Sequence, residues 1–291
     1  MAGTPLKHGV MRTDENGCFR VLQITDFHTD AGEDAAERTY ADIRAMITHF
    51  RPHLLAVTGD IWCGDDKPEL GPELMRRDLE RLGALGVPWA FTWGNHDFIG
   101  DFDATTAQLR ATPGAVMPAG DGRGNYRIEI VAARKAPVWD LFFLNSRTWC
   151  LLPEDTDWLV AEAARLGKLR GHIVPAIAFF HIPLKEYETA RLSGTYRGIA
   201  QEEASFWGND ETRFQRIREA GCIRACFVGH SHVNDYYFHQ DGIVLAYGRV
   251  TGHGGYGGEL IQPGGKLITL HGDTERFEFI TVFADGTAWQ S

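Results

Sequence analysis

The chain has 291 residues, of which 44% are hydrophobic and 23% are charged, and its formal net charge at pH 7 is −10. This composition is typical of a globular protein and excludes both intrinsic disorder and a basic protein that coats nucleic acid. No apolar run approaches the roughly 20 residues that would span a bilayer. The five cysteines include no CxxC pair and no signal peptide is apparent, so we expect a cytoplasmic protein.

Short apolar runs and amphipathic stretches alternate in the first third of the chain. Residues 19–25, 53–58 and 87–93 are β-branched or aromatic runs of strand length. Between them, residues 34–50 and 73–85 carry apolar side chains at helical spacing and are followed by Pro or Gly. This order predicts βαβ units, whose parallel strands end at one edge of a sheet.

The rest of the chain continues with the same two patterns. One further helix and seven further strands are expected, the helix at residues 155–166 and the strands at 126–131, 138–145, 176–180, 223–228, 243–247, 267–271 and 276–283. No Pro/Ser linker divides the chain. We therefore expect one domain over residues 1–291, with two β layers inside outer helices and a loosely ordered segment at residues 1–17.

Five of the predicted strands are followed immediately by residues of types that commonly bind metals. In an extended segment, residues i and i+2 project to the same side, so both members of an Asp-x-His or His-x-His pair can reach one cavity. Oxygen and imidazole donors suit manganese, iron or zinc, and seven ligands are too many for one ion. Two ions that share a carboxylate are therefore expected. The seven residues are Asp26, His28, Asp60, Asn95, His181, His230 and His232.

The blocks of this pattern differ in how specific they are. Asp-x-His and Gly-Asp occur by chance, and a lone histidine after a strand is more often a satisfied buried residue than a ligand. The block at residues 94–97, Gly-Asn-His-Asp, is more specific, as is Gly-His-Ser-His at 229–232. The interpretation as a metal site depends on all five blocks, each following a predicted strand.

The five blocks resemble those of the calcineurin-like metallophosphoesterases, whose pattern is D-x-H, G-D, G-N-H-[DE], H and G-H-x-H in this order. The resemblance extends over residues 21–250, and its flanking stretches are similar to the small single-domain branch related to purple acid phosphatases. It implies an α/β fold, a four-layer αββα sandwich with two mostly parallel or mixed β-sheets. The metal site would lie at the carboxyl ends of the strands.

The resemblance also assigns roles to the matching residues. His96 would face the substrate, where it would donate a proton to the leaving oxygen or stabilise the transition state, and Asp97 would hold that imidazole in orientation. The seven ligands would divide into two sets of three and one shared carboxylate, with Asp26, His28 and His232 on the first metal, Asn95, His181 and His230 on the second, and Asp60 between them.

The implied activity is hydrolysis of a small phosphoric ester by a hydroxide that bridges two metal ions. No motif for a phosphoenzyme nucleophile is found, so a single attack is expected to invert the configuration at phosphorus. The residues leave open whether the substrate is a monoester or a diester. Two alternatives also stay open, a non-enzymatic metal-binding scaffold on the same fold and a nuclease, which the net charge of −10 disfavours. No membrane or nucleic-acid partner is expected.

One position departs from the purple acid phosphatases. Their second block resembles G-D-x-x-Y, with a tyrosine that ligates ferric iron, and Cys63 occupies that position here. A purple charge-transfer band is therefore not expected. Cys63 is interpreted either as a thiolate ligand or, more commonly, as a small buried residue.

Further residues near the motifs could contact a substrate. Arg249, His253 and Tyr256 lie in and before a glycine-rich segment, where a plain surface turn is the alternative. Three aromatic residues flank the ligands and form either an aromatic wall for a nucleoside or aryl group or, more commonly, part of the core. They are Trp62, Trp93 and Phe98.

Overall fold

The structure is a computed structural model that describes residues 9–62, 68–97, 100–132 and 136–290, so Cys63 and Phe98 lie outside the described residues. The helices are α1 Glu33–Phe50, α2 Gly71–Ala84, α3 Phe102–Ala111, α4 Pro153–Arg170, α5 Lys185–Ser193 and α6 Glu211–Glu219. The strands are β1 Val10–Arg12, β2 Cys18–Ile24, β3 Leu54–Val57, β4 Trp89–Phe91, β5 Tyr126–Val131, β6 Pro137–Phe143, β7 Ala176–Phe179, β8 Arg197–Ala200, β9 Ile223–Val228, β10 Asn234–Gln240, β11 Ile243–Tyr247, β12 Gly265–His271, β13 Phe277–Val282 and β14 Ala288–Trp289.

The first sheet has six strands in the order β14-β13-β12-β2-β3-β4. Strands β2, β3 and β4 run parallel, as the predicted βαβ units require, whereas β12 pairs with β2 in the antiparallel direction. Helix α1 covers this sheet with Tyr40, Ile43 and Met46, which recur at three-residue spacing and are buried. The carboxyl ends of β2, β3 and β4 therefore meet at one edge.

The second sheet has eight strands in the order β1-β5-β6-β7-β9-β11-β10-β8. Strands β6, β7, β9 and β11 are mutually parallel in this central part. The alternation of side chains is clear in β7, where Ile177 and Phe179 pack in the core between the sheets. Ala176 and Ala178 face the opposite way, into a core that this sheet shares with α4, α5 and α6. Both faces are covered, which explains why β7 has no polar residue.

The two sheets thus lie face to face, with α1 and α2 outside one and α4, α5 and α6 outside the other. The predicted α/β fold with two mixed sheets inside outer helices is confirmed. No helix in the described part of the chain has the length and apolar character needed to cross a membrane.

The amino-terminal segment was predicted to be loosely ordered over residues 1–17, of which the structure describes residues 9–17. Within its described part, β1 pairs in parallel with β5 at the edge of the second sheet, and Met11 is buried in the core. The Asp14 carboxylate then accepts hydrogen bonds from the backbone N–H groups of Asn16 and Cys18, at 3.0 and 2.9 Å, which shapes the turn into β2. A three-residue strand is too short to produce a recognisable alternation in the sequence.

Candidate metal centre

The loops that follow five parallel strands meet where the two sheets come together. β2, β3 and β4 contribute from the first sheet, and β7 and β9 contribute from the second. Backbone hydrogen bonds join neighbouring loops, since the Asp26 N–H donates to Gly59 O at 3.0 Å and the Gly229 N–H donates to His181 O at 3.1 Å. The seven predicted ligands are thereby gathered at one edge, although they are spread over more than two hundred residues of sequence.

One group of potential ligands consists of Asp26, His28 and His232, whose ligand atoms all lie within 4.8 Å of one another. His232 Nε2 is 3.1 Å from His28 Nε2 and 3.4 Å from Asp26 Oδ1. The other nitrogen of His232, Nδ1, is 3.2 Å from the Tyr256 carbonyl oxygen, a contact that fixes the ring orientation. A histidine held through one nitrogen by a carbonyl, with the other nitrogen inward, is the usual arrangement of a metal ligand.

A second group consists of Asp60, His181 and His230, again with ligand atoms within 4.8 Å of one another. The His181 side chain is fully buried, with Nδ1 2.7 Å from Thr58 O and Nε2 3.1 Å from Asp60 Oδ2. Asn95 lines the cleft that members of both groups line, and both polar atoms of its buried amide lack a hydrogen-bond partner among the described residues. A buried amide without partners is costly, and ligation of a metal through its oxygen would account for it.

The Asp60 carboxylate belongs to the second group and also faces the first. Its Oδ2 is 3.1 Å from His181 Nε2 of one group and 3.8 Å from His28 Nε2 of the other. Because carboxylate, amide and imidazole donors are those that manganese, iron and zinc accept, the residues present fit two metal ions that share one carboxylate. The family resemblance implies the same first set, and it adds Asn95 to His181 and His230 in the second, with Asp60 shared.

Four of the candidate ligands have left-handed backbones. The φ angles of Asp26, His28, Asp60 and His230 are 57°, 47°, 55° and 77°. Such angles are uncommon for residues other than glycine, and strain of this kind is concentrated at functional sites. The approach of neighbouring loops is equally tight, because a Cβ added at Gly94 would collide with Asp60 Oδ1. This explains the glycine that precedes the Asn-His-Asp block.

Electrostatics favour a set of ionised carboxylates within this cluster. Burial opposes ionisation of Asp60, but the neighbouring His181 and His28 outweigh it and hold the pKa of Asp60 well below its usual range. Burial alone would lower the pKa of His181, and the charge of Asp60 instead raises it to about 9. For His230, burial and the proximity of His181 lower the pKa to about 3, so its imidazole is neutral at pH 7. A metal ion here would therefore meet the ionised Asp60 carboxylate and the neutral His230 imidazole, and it would replace the proton that His181 carries.

His96 lines the cleft but is not a member of either group. Its backbone N–H donates to Asp60 Oδ1 at 3.0 Å, which ties the residue to the shared carboxylate. The imidazole lies edge-on to His28, with ring centroids 5.5 Å apart. The side chain is thus within reach of a group bound at the metals, as the predicted proton donor must be.

Asp97 has surroundings that differ from the predicted role of orienting His96. The three hydrogen bonds that the structure gives its carboxylate come from backbone N–H groups of Asp60 at 2.7 Å, Gly94 at 2.8 Å and Ile61 at 2.9 Å. Burial and the charge of Asp60 raise the pKa of Asp97 to about 7. The residue therefore joins the loops after β3 and β4, and it positions Asp60 through the backbone.

Two of the three predicted substrate contacts lie outside the cleft. Arg249 is only 4% exposed because its guanidinium donates to Asp235 Oδ2 at 2.9 Å, within the fold. His253 Nε2 lies 2.7 Å from Asp42 Oδ2 of α1, and it does not line the cleft. Tyr256 does line the cleft, and its ring stacks on His232 with centroids 4.1 Å apart.

The aromatic residues near the site are also arranged differently from the expectation. Trp62 and Trp93 are buried in the core, with exposures of 0% and 1%, so they form no wall for a ligand. Trp149 and Trp207 line the cleft instead, which has a volume of about 410 Å³. Neither was identified from the sequence, because each lies in a loop without a motif. The only signal available was a tryptophan in a polar stretch.

A family model described as calcineurin-like phosphoesterase matches residues 19–234 of this chain. The matched region contains all five motif blocks. The relative named "Probable inactive purple acid phosphatase 28", from Arabidopsis thaliana, is 29% identical, with 85% of this chain and 74% of the relative covered. The relative named "Phosphatase DCR2", from Saccharomyces cerevisiae, is 26% identical, with 84% and 50% covered.

A solved structure has the same fold. The dimetal phosphatase from Danio rerio superposes with a TM-score of 0.60 at 14% sequence identity, covering 90% of this chain and 98% of that one. The predicted family and its likeness to purple acid phosphatases are both confirmed. The chain belongs to the calcineurin-like phosphoesterase family.

Proposed function

We propose that the protein is a binuclear metal-dependent hydrolase of small phosphoric esters. The observation that carries the proposal is the position of Asp60 Oδ2, 3.1 Å from His181 Nε2 and 3.8 Å from His28 Nε2, between two groups of ligands. A structural metal site is usually closed around one ion by four ligands. Two groups that share a carboxylate and open into a cleft instead support a site that binds a substrate.

The residues of the chain divide the work of the proposed reaction. Two divalent ions, when bound, would lower the pKa of a shared water and offset charge on the phosphoryl oxygens. Asp26 and Asp60 supply the negative charge that holds the cations, and Asn95 supplies a neutral oxygen. His96 donates a proton to the leaving oxygen or stabilises the charge that develops there. Asp97 holds the Asp60 backbone through hydrogen bonds from Asp60 and Gly94.

A non-enzymatic scaffold is the second candidate, because the Arabidopsis relative carries the word "inactive" in its name. The hydrolase is preferred because six of the candidate ligands form the two groups, and Asn95 and His96 line the cleft that these groups share. A nuclease is disfavoured, because no Lys or Arg is among the described residues that line the cleft.

We further propose that the metals are manganese, iron or zinc, which accept oxygen and imidazole ligands. The four cysteines in the described ranges are free thiols, which supports a cytoplasmic location. A small phosphorylated molecule is the proposed partner.

The proposal is tested with p-nitrophenyl phosphate and bis-p-nitrophenyl phosphate. Protein stripped with a chelator would be reconstituted in turn with manganese, iron, zinc and magnesium, and hydrolysis would be followed by release of p-nitrophenol. Metal-restored turnover would support the hydrolase, and the ratio between the two esters would separate a phosphatase from a phosphodiesterase. Two bound ions without turnover of either ester would favour the scaffold.

A further inference from the structure

Three aromatic side chains at the mouth of the cleft are exposed to solvent. Trp149, Trp207 and Tyr256 are 38%, 59% and 56% exposed, and all three line the cleft that contains the ligands. Large aromatic side chains are mostly buried, because each removes an extensive apolar surface from water. We call these three residues the aromatic rim. Their rings therefore have apolar surface exposed to solvent that a ligand could cover.

Each residue of the aromatic rim contacts a residue of the candidate active site. The Trp149 ring lies edge-on to His96, with centroids 6.0 Å apart. The Trp207 indole N–H donates a hydrogen bond to His230 Nε2 at 3.0 Å. The rim is thus directly adjacent to the ligand groups, and the alcohol part of an ester bound at the metals would meet it.

The backbone of the rim supports a functional rather than a packing role. Trp149 and Trp207 have φ angles of 70° and 46°, in the left-handed region that bulky residues rarely adopt. Their side chains contact each other edge to face, with centroids 4.9 Å apart, and hold the pair together across the loops. Burial does not compensate for this strain, since both side chains are exposed, and strained residues are concentrated at ligand sites.

The cleft offers no positively charged Lys or Arg side chain, among its described lining residues, that could recognise a second charged group of a substrate. Apart from the ligand groups and Asn95, its described lining consists of His96, two serines, a glycine and the aromatic rim. Additional phosphate or carboxylate groups would find no cationic partner on these residues. A flat ring can be recognised without charge, by stacking on an aromatic face.

We propose that Trp149, Trp207 and Tyr256 bind a flat aromatic ring carried by the alcohol part of the substrate. This inference rests on the proposed function, because it places the phosphoryl group at the metal ligands. It narrows the substrate class to phosphoric esters of alcohols that contain an aromatic ring, either a benzene-sized ring or a nucleobase.

Binding is tested without turnover on the full chain loaded with metal. Calorimetry would compare benzylphosphonate with ethylphosphonate, two non-hydrolysable ligands that differ by a ring. The wild type is expected to bind benzylphosphonate about two- to twelvefold more tightly, the range that ring stacking supplies. Trp149→Ala and Trp207→Ala should bring the ratio of the two affinities close to one. Trp207→Phe should preserve most of the preference, because it removes the indole N–H and keeps a ring.

A matched control is available in Trp289, which lies in β14 at the edge of the first sheet and does not line the cleft. Trp289→Ala is expected to preserve the wild-type ratio. An equal affinity of the wild type for both phosphonates would overturn the inference. So would a ring preference that survives both alanine substitutions in the rim.

Turnover gives a second test and separates the two kinds of failure. Benzyl and ethyl phosphate release alcohols of similar basicity, and 5′-AMP and ribose 5-phosphate release the same 5′ oxygen, so a difference within either pair reports on the ring. A lower KM for the ring-containing member that depends on Trp149 would support the inference, and the pair that shows it identifies the ring. Turnover of both members with equal KM would overturn the proposed role of the aromatic rim, and it would still support the proposed hydrolase activity. A phosphonate ring preference without turnover of any ester would support the rim and contradict the hydrolase.

Discussion

His28 Nε2, which belongs to one ligand group, lies 3.8 Å from Oδ2 of Asp60, which belongs to the other. The distance is too long for a hydrogen bond, and it leaves room for a cation that both atoms contact. This relationship distinguishes a pair of coupled sites from two separate ones. Loss of Asp60 is therefore expected to affect both sites.

Asp60→Asn should reduce the metal content of the purified protein well below that of the wild type. The substitution keeps the shape of the side chain and removes the charge that faces both ligand groups, while burial still excludes water. Elemental analysis after dialysis measures the number of ions per chain. Asp42→Asn is the control, because this carboxylate of α1 pairs with His253 away from the cleft. Retention of two ions by Asp60→Asn would remove the bridging role.

His96→Ala should leave the metal content near the wild-type value and lower kcat by about 10²- to 10⁴-fold, the range for loss of a proton donor. The reason is that His96 lines the cleft without belonging to a ligand group. His253→Ala is the matched control and is expected to keep wild-type turnover. Turnover of His96→Ala equal to that of the wild type would eliminate this histidine from the mechanism.

Asp97→Asn should lower the free energy of unfolding by about 1–3 kcal/mol, because an amide has a single acceptor oxygen and cannot serve all three backbone donors. The donors belong to Asp60, Ile61 and Gly94, so the loop that carries the shared ligand would loosen. Denaturant unfolding of the metal-free protein measures the effect. Asp157→Asn is the control, since this carboxylate is exposed on α4. Unchanged stability with a large loss of turnover would restore Asp97 as the residue that orients His96.

Asp78 should give the stability of the protein a specific dependence on pH. Its carboxyl is buried beneath Thr29, and burial raises its pKa from 3.8 to about 7. The folded state therefore holds a proton that the unfolded state has already lost. The contribution of this group to the free energy of unfolding is fully present below about pH 4. It is lost as pH rises to 7, at no more than about 1.4 kcal/mol per pH unit. Unfolding experiments from pH 4 to 8 should show a flatter profile for Asp78→Asn, and identical profiles would contradict the assignment.

The convergence of the candidate ligands at one edge could be predicted from the sequence because its determinants are local. Each ligand follows a buried apolar strand, and parallel strands of a sheet end at a common edge. The pairs Asp26 with His28 and His230 with His232 are brought to the cleft by the spacing within a single loop. The family resemblance then assigned each candidate ligand to the first or the second metal, an assignment that residue spacing alone left undecided.

The surroundings of the site could not be predicted, because they depend on contacts between distant segments. Arg249 was predicted to contact the substrate, but it is paired with Asp235 of β10, a partner that its own sequence segment does not reveal. His253 is held by Asp42, which is 211 positions earlier in the chain. Trp149 and Trp207 meet through the folding of two loops whose sequences show no periodicity. Exposure of a tryptophan is a property of tertiary structure, and composition carries no signal for it.

The central claim is that two ions act together. Titration of metal into stripped protein tests it most directly, with calorimetry and hydrolysis of p-nitrophenyl phosphate or bis-p-nitrophenyl phosphate followed on the same sample. The account predicts two ions bound per chain, with turnover that appears as the second ion binds. Full turnover with a single ion bound, or two bound ions without turnover of either ester, would contradict it.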